Sequence, residues 1–155
     1  MKFTDDYLQD IKKALSCIPC FENLYEKSFF ITGATGMIGS AIVDTLLVLN
    51  KEFNAKIKII VAGRSYEKVL KRFYCFSEKD GLFYTKYDAT FFSEIEVDQK
   101  IDYIIHGASN ANPAIYMKEP VETIMANILG LENVLRLAKK CESKRLLYIS
   151  SSEVY

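Results

Sequence analysis

The sequence predicts an α/β fold in which a doubly wound parallel sheet carries helices on both faces. Its five short apolar runs lack the alternation of half-exposed strands, as expected of strands buried on both faces. Helical patterns or long loops separate these runs, and such crossovers join parallel strands. The expected strand order is 3-2-1-4-5, with a ligand crevice at the carboxyl edge, between strands one and four.

Length and composition are typical of one domain that binds a small molecule. The chain has 155 residues, with 20 acidic and 20 basic side chains, and no segment concentrates charge of one sign. The sequence therefore does not indicate electrostatic binding to nucleic acid or to anionic lipid. No apolar run approaches the ~18 residues of a membrane span, and acidic residues stand where a signal peptide would be apolar. We expect a cytoplasmic protein, with neither nucleic acid nor membrane as a partner.

Residues 1–25 precede the first strand, and we expect them to form an accessory helix packed on the sheet domain, residues 26–155. Thr4 can cap this helix, whose first turn holds Asp5 and Asp6, and Pro19 ends it. The apolar positions at helical spacing are Tyr7, Leu8, Ile11, Leu15 and Ile18.

The next elements alternate between strand and helix. Ser65 can cap a short helix that runs to about Phe73, and Asp88 follows the third strand. The predicted strands are Ser28–Ile31, Ile57–Ala62, Leu82–Lys86, Ile101–Ile105 and Leu146–Ile149, and an apolar helical stretch covers Ala41–Leu49.

The segment between strands four and five divides into a loop and a long helix. Small and polar residues from His106 to Pro120 predict a surface loop, and Pro120 suits the first turn of a helix. Lys139 and Lys140 stand near the helix end, where cations are favoured. The apolar residues that repeat at three and four are Val121, Ile124, Met125, Ile128, Leu131, Leu135 and Ala138.

The four cysteines do not form a recognisable metal set, and we expect no metal. Cys17 and Cys20 make a CxxC, but Cys75 and Cys141 are isolated and the only histidine, His106, is distant. A redox CxxC would open a helix after a strand, whereas this one follows a helical pattern. We therefore interpret the cysteines as ordinary buried thiols.

A glycine-rich turn, TGATGMIGS from Thr32 to Ser40, follows the first strand and leads into a helix. Gly33, Gly36 and Gly39 stand three apart, which permits a tight turn, a close approach of backbone to a pyrophosphate, and close helix packing. The N–H groups and positive dipole end of the helix favour phosphate. In this context the turn predicts dinucleotide binding by a Rossmann-like fold.

Five motifs in order resemble the extended short-chain dehydrogenase/reductase family, and more narrowly its nucleotide-sugar epimerase/dehydratase branch. They are TGATGMIGS, Asp88 after strand three, HGAS at His106, NILG at Asn127, and SSSEVY at the end of the chain. The resemblance implies that Asp88 accepts from the adenine amino group, although a turn residue bonding its own backbone is the alternative. For His106 we favour a structural role. The cofactor-binding residues that it implies are Gly33, Thr35, Gly36, Met37, Ile38, Gly39, Asp88, Ala89, Gly107, Ala108, Ser109, Asn127 and Ser150.

The end of strand two bears on which nicotinamide cofactor binds. NAD-selective members place a carboxylate here, whereas this chain has Gly63 and then Arg64. A guanidinium can pair with the extra phosphate of NADP, so we favour NADP and keep NAD as the alternative. A solvent-facing Arg64 without a cofactor contact is the alternative.

The same resemblance implies a catalytic set. Ser151 matches the polar partner of the reacting hydroxyl, while Ser152 and Glu153 match the acid/base pair of dehydratases and decarboxylases. A solvent-facing Glu153 is the alternative. Enzymes of this family oxidise a sugar hydroxyl to a ketone by hydride transfer to the nicotinamide. The ketone makes the neighbouring proton acidic, which permits the next step, and the hydride is then returned to the sugar. Its proton acceptor is a tyrosine with a lysine four residues on, and none of the ten tyrosines here has that lysine. We therefore expect these 155 residues alone to be inactive.

The predicted function is the cofactor-binding portion of an NAD(P)-dependent nucleotide-sugar epimerase/dehydratase. The predicted partner is a nucleotide-diphosphate sugar, and the full-length parent is expected to be a homodimer through a bundle that includes the long helix. Without the rest of that bundle, an apolar face should stay exposed. Two alternatives remain: a noncatalytic NADP(H)-binding sensor, and a reductase of a non-sugar carbonyl.

Overall fold

The computed structural model describes residues 3–109 and 113–150. One five-stranded sheet has the order β3-β2-β1-β4-β5, and all four strand pairs are parallel, which confirms the predicted fold class and strand order. The strands are β1 (Ser28–Thr32), β2 (Lys58–Gly63), β3 (Leu82–Lys86), β4 (Tyr103–His106) and β5 (Arg145–Tyr148).

Helices surround the sheet, and two of the predicted caps are present. Thr4 accepts the N–H of Tyr7, and Ser65 accepts the N–H of Lys68. The α-helices are α1 (Asp5–Ser16), α2 (Met37–Phe53), α3 (Tyr66–Arg72), α4 (Pro113–Lys118) and α5 (Pro120–Lys140), and short 3₁₀ turns cover Phe21–Leu24 and Glu78–Asp80. Over the described ranges, no helix has the length and apolar composition needed to cross a bilayer.

The sheet divides the core into two layers. Successive residues of β1 point to opposite faces, so Ile31 packs with α1 and α2 while Phe30 packs with α5. Both side chains are fully buried. This explains why the strand reads as a continuous apolar run rather than an alternating one.

A buried carboxylate joins the three helices of one layer. Asp44 of α2 is fully buried, accepts a hydrogen bond of 2.9 Å from the Tyr7 hydroxyl of α1, and pairs with the Arg72 guanidinium of α3. Burial, followed by the hydrogen bond to Asp44, raises the pKa of Tyr7. The segment before β1 is thus fixed to the sheet layer by a polar contact as well as by apolar packing.

Three local predictions were wrong. Helix α1 ends at Ser16, so Ile18 lies outside it and is exposed. The predicted loop from His106 to Pro120 contains the short helix α4. Cys17, Cys20 and Cys75 are exposed and Cys141 is partly exposed, so the cysteines are not buried thiols. The first two cysteines flank the turn that follows α1, where no second layer covers them.

Helix α5 has two different faces. The face on the sheet is made mainly of small or medium residues, namely Ala126, Gly130, Asn133, Val134 and Leu137. Most of the apolar stripe read from the sequence points away from the sheet, and its exposed members are Val121, Ile124, Met125, Ile128 and Leu135. The expected exposed apolar face is therefore present, and of the stripe only Leu131 and Ala138 pack against the core.

Candidate functional site

A cleft of about 480 Å³ opens at the carboxyl edge of the sheet. Thr32 pairs with Ala62 on one side and with His106 on the other, so the segments after β1, β2 and β4 leave the sheet at the same level. These segments, with the one after β3 and the first half of α5, line the cleft. It lies where the topology predicts a ligand crevice.

Two glycines of the turn after β1 are required by packing. Gly33 has φ +69°, and a Cβ there would come 2.3 Å from the carbonyl oxygen of Gly107. A Cβ at Gly39 would come 2.3 Å from the carbonyl oxygen of Gly33. The turn therefore touches the segment after β4 on one side and α2 on the other, with no room for a side chain at either contact.

Gly36 differs from its two neighbours in the motif. Its only close contact for a Cβ would be the Gly33 carbonyl oxygen at 3.3 Å, and its φ of −74° is open to any residue. Gly36 lines the cleft. The contact is tight but much longer than the 2.3 Å approaches at Gly33 and Gly39, so packing constrains Gly36 less than the other two glycines.

The amino end of α2 stands at the same turn. Gly36 is the N-cap of this 17-residue helix and supplies no side-chain cap. Because the first N–H groups of a helix have no intrahelical acceptor, they are available to an anionic ligand at this end. The helix dipole adds to that preference.

The Thr32 hydroxyl organises the segment after β4. Its oxygen accepts the N–H groups of Gly107 at 3.2 Å and Ala108 at 3.1 Å, and lies 2.7 Å from Nδ1 of His106. Since two N–H groups already use this oxygen as an acceptor, we assign its own proton to His106 Nδ1, which places the ring proton on Nε2. The contact holds Gly107 and Ala108 at the cleft wall.

His106 itself is a buried structural residue. It is fully buried, does not line the cleft, and its ring stacks on Tyr148 with centroids 5.6 Å apart. Burial lowers its pKa to about 4, so the imidazole is neutral at pH 7. This burial away from the cleft supports the structural role favoured for His106.

Asp88 lines the cleft just beyond β3. Its Oδ1 accepts the backbone N–H of Thr90 at 3.0 Å and the Thr90 hydroxyl at 2.8 Å. This turn is the backbone-bonding alternative considered above. It also fixes the carboxylate at the cleft, so the two roles are compatible.

The cleft is lined by charged residues of both signs, which besides Asp88 come from two places. Arg64 and Lys68, both exposed, lie on the side of β2, whereas Glu119 and Glu122 come from the start of α5. Sequence reasoning missed Ser65, Lys68, Phe91, Glu119 and Glu122 as lining residues. The signal for Lys68 was present, because it stands one turn after the Ser65 cap of α3.

The structure brings most of the predicted cofactor residues together but not all of them. Those that line the cleft are Gly33, Thr35, Gly36, Arg64, Asp88, Ala89, Gly107, Ala108 and Ser109. Met37 and Ile38 are exposed at the start of α2, Gly39 packs on Gly33, and Ser150 is exposed after β5. These four do not line the cleft.

Asn127 also stands apart from the cleft lining. Helix α5 continues through it without interruption. Its Nδ2 donates to the Thr123 carbonyl at 2.9 Å, and its Oδ1 accepts from the Tyr148 hydroxyl at 3.3 Å. The predicted catalytic residues Ser151, Ser152 and Glu153 lie outside the described residues.

Residues 29–155 match the model of the NAD dependent epimerase/dehydratase family. UDP-glucuronic acid decarboxylase 6 of Arabidopsis thaliana is 35% identical over 125 residues, which cover 81% of this chain and 34% of the relative. The dTDP-D-glucose 4,6-dehydratase of Dictyostelium discoideum is 30% identical over 138 residues, covering 86% of this chain and 31% of that enzyme. Among solved structures, the yeast methylglyoxal/isovaleraldehyde reductase Gre2 with NADPH matches with a TM-score of 0.61 and 24% identity, covering 80% of this chain and 37% of that one.

Proposed function

The chain belongs to the NAD dependent epimerase/dehydratase family, and we propose on that basis that its cleft holds a nicotinamide dinucleotide by the pyrophosphate. The observation that carries this proposal is Gly36, a cleft-lining glycine that packing constrains less than Gly33 and Gly39, placed at the uncapped start of α2. The residues present fit the group, because a Cβ at this position would occupy space at the phosphate end of the helix.

The proposed preference is for NADP over NAD. Arg64 and Lys68 line the same side of the cleft, immediately after β2, where the adenosine ribose of a dinucleotide lies in this fold class. Two cations there favour a 2′-phosphate, and among the described residues the cleft's carboxylates come from the segment after β3 and from α5. When bound, such a cofactor supplies the reversible oxidation of a hydroxyl group.

The proposed substrate is a nucleotide-diphosphate sugar. The chain spans about a third of the length of the curated relatives that it matches, which include a UDP-glucuronic acid decarboxylase and a dTDP-D-glucose dehydratase. We assign to Ser151 the role of positioning the reacting hydroxyl, and to Ser152 and Glu153 the acid/base steps. These assignments rest on the resemblance of SSSEVY to the family pattern.

Calorimetric titration with NADP⁺ and NAD⁺ tests the proposal. We expect both to bind the protein, NADP⁺ more tightly, and Gly36→Val to weaken both by at least about tenfold, a loss of about 1.4 kcal/mol. Circular dichroism should show a retained fold for that variant, because the φ of Gly36 suits any residue and its one close contact needs a shift of only a few tenths of an ångström. The absence of binding heat for either cofactor, with a folded wild-type protein, would refute the proposal.

A further inference from the structure

Phe91 is a cleft-lining aromatic residue that remains largely exposed. Phe91 is 67% exposed and stands three positions after Asp88 in the sequence. Within residues 3–109 and 113–150, its ring meets neither another aromatic ring nor a cation at stacking distance. Its neighbour Phe92, with 58% exposure, instead carries the Arg136 guanidinium over its ring at 5.2 Å.

Hydrogen bonds from a side chain of α5 fix the backbone around Phe91. Asn133 of α5 is 1% exposed, donates from Nδ2 to the Phe91 carbonyl at 2.8 Å, and accepts the Ser93 N–H on Oδ1 at 3.2 Å. Both ends of a buried amide are therefore used to hold this short segment against the helix. Asp88 and Thr90 fix its other end by their own hydrogen bonds. The fold thus maintains an exposed phenyl ring at the cleft.

The position of Phe91 along the cleft indicates which part of a dinucleotide it meets. The glycine turn follows β1, Arg64 follows β2, and Phe91 follows β3, which lies at the edge of the sheet. A ligand with its pyrophosphate at β1 and its ribose at β2 therefore places its purine beside β3. A flat apolar ring next to a fixed carboxylate matches a purine, which offers an aromatic face and an amino edge.

We propose that Phe91 forms one wall of the adenine subsite and stacks on the purine ring of the bound dinucleotide. This inference rests on the proposed function of the cleft. It assigns to Phe91 a share of the cofactor affinity that is independent of the nicotinamide and of the sugar substrate.

The absence of tryptophan from the chain allows a direct test. Phe91→Trp introduces a single indole, whose fluorescence is quenched when an adenine stacks on it, and Phe92→Trp is the matched control one residue away. ADP is the probe, because it lacks the nicotinamide ring. We expect saturating ADP to quench the indole at position 91 and not the one at 92, and nicotinamide mononucleotide to quench neither by stacking.

Affinity provides the second measurement. Phe91→Ala should weaken ADP by roughly 5- to 150-fold, the range for loss of one base-stacking contact. Phe92→Ala should leave the ADP affinity within about twofold of wild type, as expected for a surface residue outside the cleft. Both side chains are exposed, so neither change should alter the fold measured by circular dichroism.

The outcomes separate the two proposals. If ADP and NADP⁺ bind the wild-type protein, but the indole at position 91 is unquenched or Phe91→Ala binds normally, the stacking role is wrong and the cofactor cleft stands. Equal quenching at positions 91 and 92 would also overturn the stacking role. If neither ADP, NADP⁺ nor NAD⁺ binds the wild-type protein, the proposed function fails and the adenine subsite fails with it.

Discussion

The burial of His106 couples the protonation of a single residue to the stability of the domain. The unfolded chain takes up a proton on this ring near pH 6.5, while the folded protein resists protonation down to about pH 4. Because the folded-state pKa is the lower one, stability is complete above pH 6.5 and falls as the pH decreases toward 4. The shift corresponds to about 3 kcal/mol over this window.

We predict that His106→Asn removes this pH dependence. Urea unfolding at pH 7, 5.5 and 4.5 should show the wild-type protein losing stability relative to the variant as the pH falls, since Asn does not titrate. The carboxylates common to both proteins cancel in that difference. Parallel stability curves for the two proteins would contradict the prediction.

We predict that replacing Arg64 distinguishes the two cofactors. Arg64→Ala should weaken NADP⁺ by about tenfold or more, the scale of a charge-assisted phosphate contact, and should change NAD⁺ by much less. Lys68→Ala should act in the same direction. Calorimetric dissociation constants for both cofactors provide the measurement, and equal weakening of NADP⁺ and NAD⁺ by Arg64→Ala would refute the assigned phosphate contact.

At the scale of elements, the turn between β1 and α2 depends on Gly33 for folding. Gly33→Ala must place a Cβ 2.3 Å from the Gly107 carbonyl oxygen, at a φ of +69°. We expect a loss of at least about 2 kcal/mol in the free energy of unfolding, measured by urea denaturation.

Gly63→Ala is the matched control for this prediction. No atom lies within 4 Å of the Cβ position at Gly63, and the residue belongs to a β-strand. Its effect on stability should stay within about 0.5 kcal/mol, as for a substitution without a packing cost. Similar losses for the two variants would show that the close contact at Gly33 is not what matters.

The strands could be predicted from sequence because each is a short apolar run next to a turn signal. The existence of helix α5 could be predicted from the period of its apolar residues. The face that packs on the sheet could not, because Ala126 and Gly130 allow a close approach to the sheet but do not stand out in the sequence as apolar. Helix α4 was missed because its six residues begin at a proline in a loop-like segment. The Asp44–Arg72 pair joins two helices, and nothing local in the sequence couples residues that far apart.

The cleft residues were predictable to the extent that they belong to known motifs. Gly33, Gly36, Asp88 and Gly107 line the cleft as their motifs predict. Phe91 and Lys68 follow those motifs without belonging to them, so only the fold brings them to the same edge. Met37 and Ile38 belong to the glycine motif, but they are exposed at the start of α2 and do not line the cleft.

For the whole molecule, the exposed face of α5 is the feature that most affects behaviour in solution. Val121, Ile124 and Ile128 lie on it, and a continuous apolar face of this kind favours association. We predict concentration-dependent self-association of the 155-residue protein in sedimentation velocity. The double variant Ile124→Lys, Ile128→Lys should sediment as a monomer, with unchanged thermal stability because neither residue packs on the sheet. A wild-type protein that is monomeric at every concentration would contradict this prediction.

The three glycines of the turn differ in how strongly packing constrains them, and this difference has an evolutionary consequence. Packing at 2.3 Å requires glycine at Gly33 and Gly39, whereas the looser contact at Gly36 leaves the proposed ligand as the main constraint there. We therefore expect a descendant that no longer binds the ligand to lose the middle glycine first and to keep the outer two.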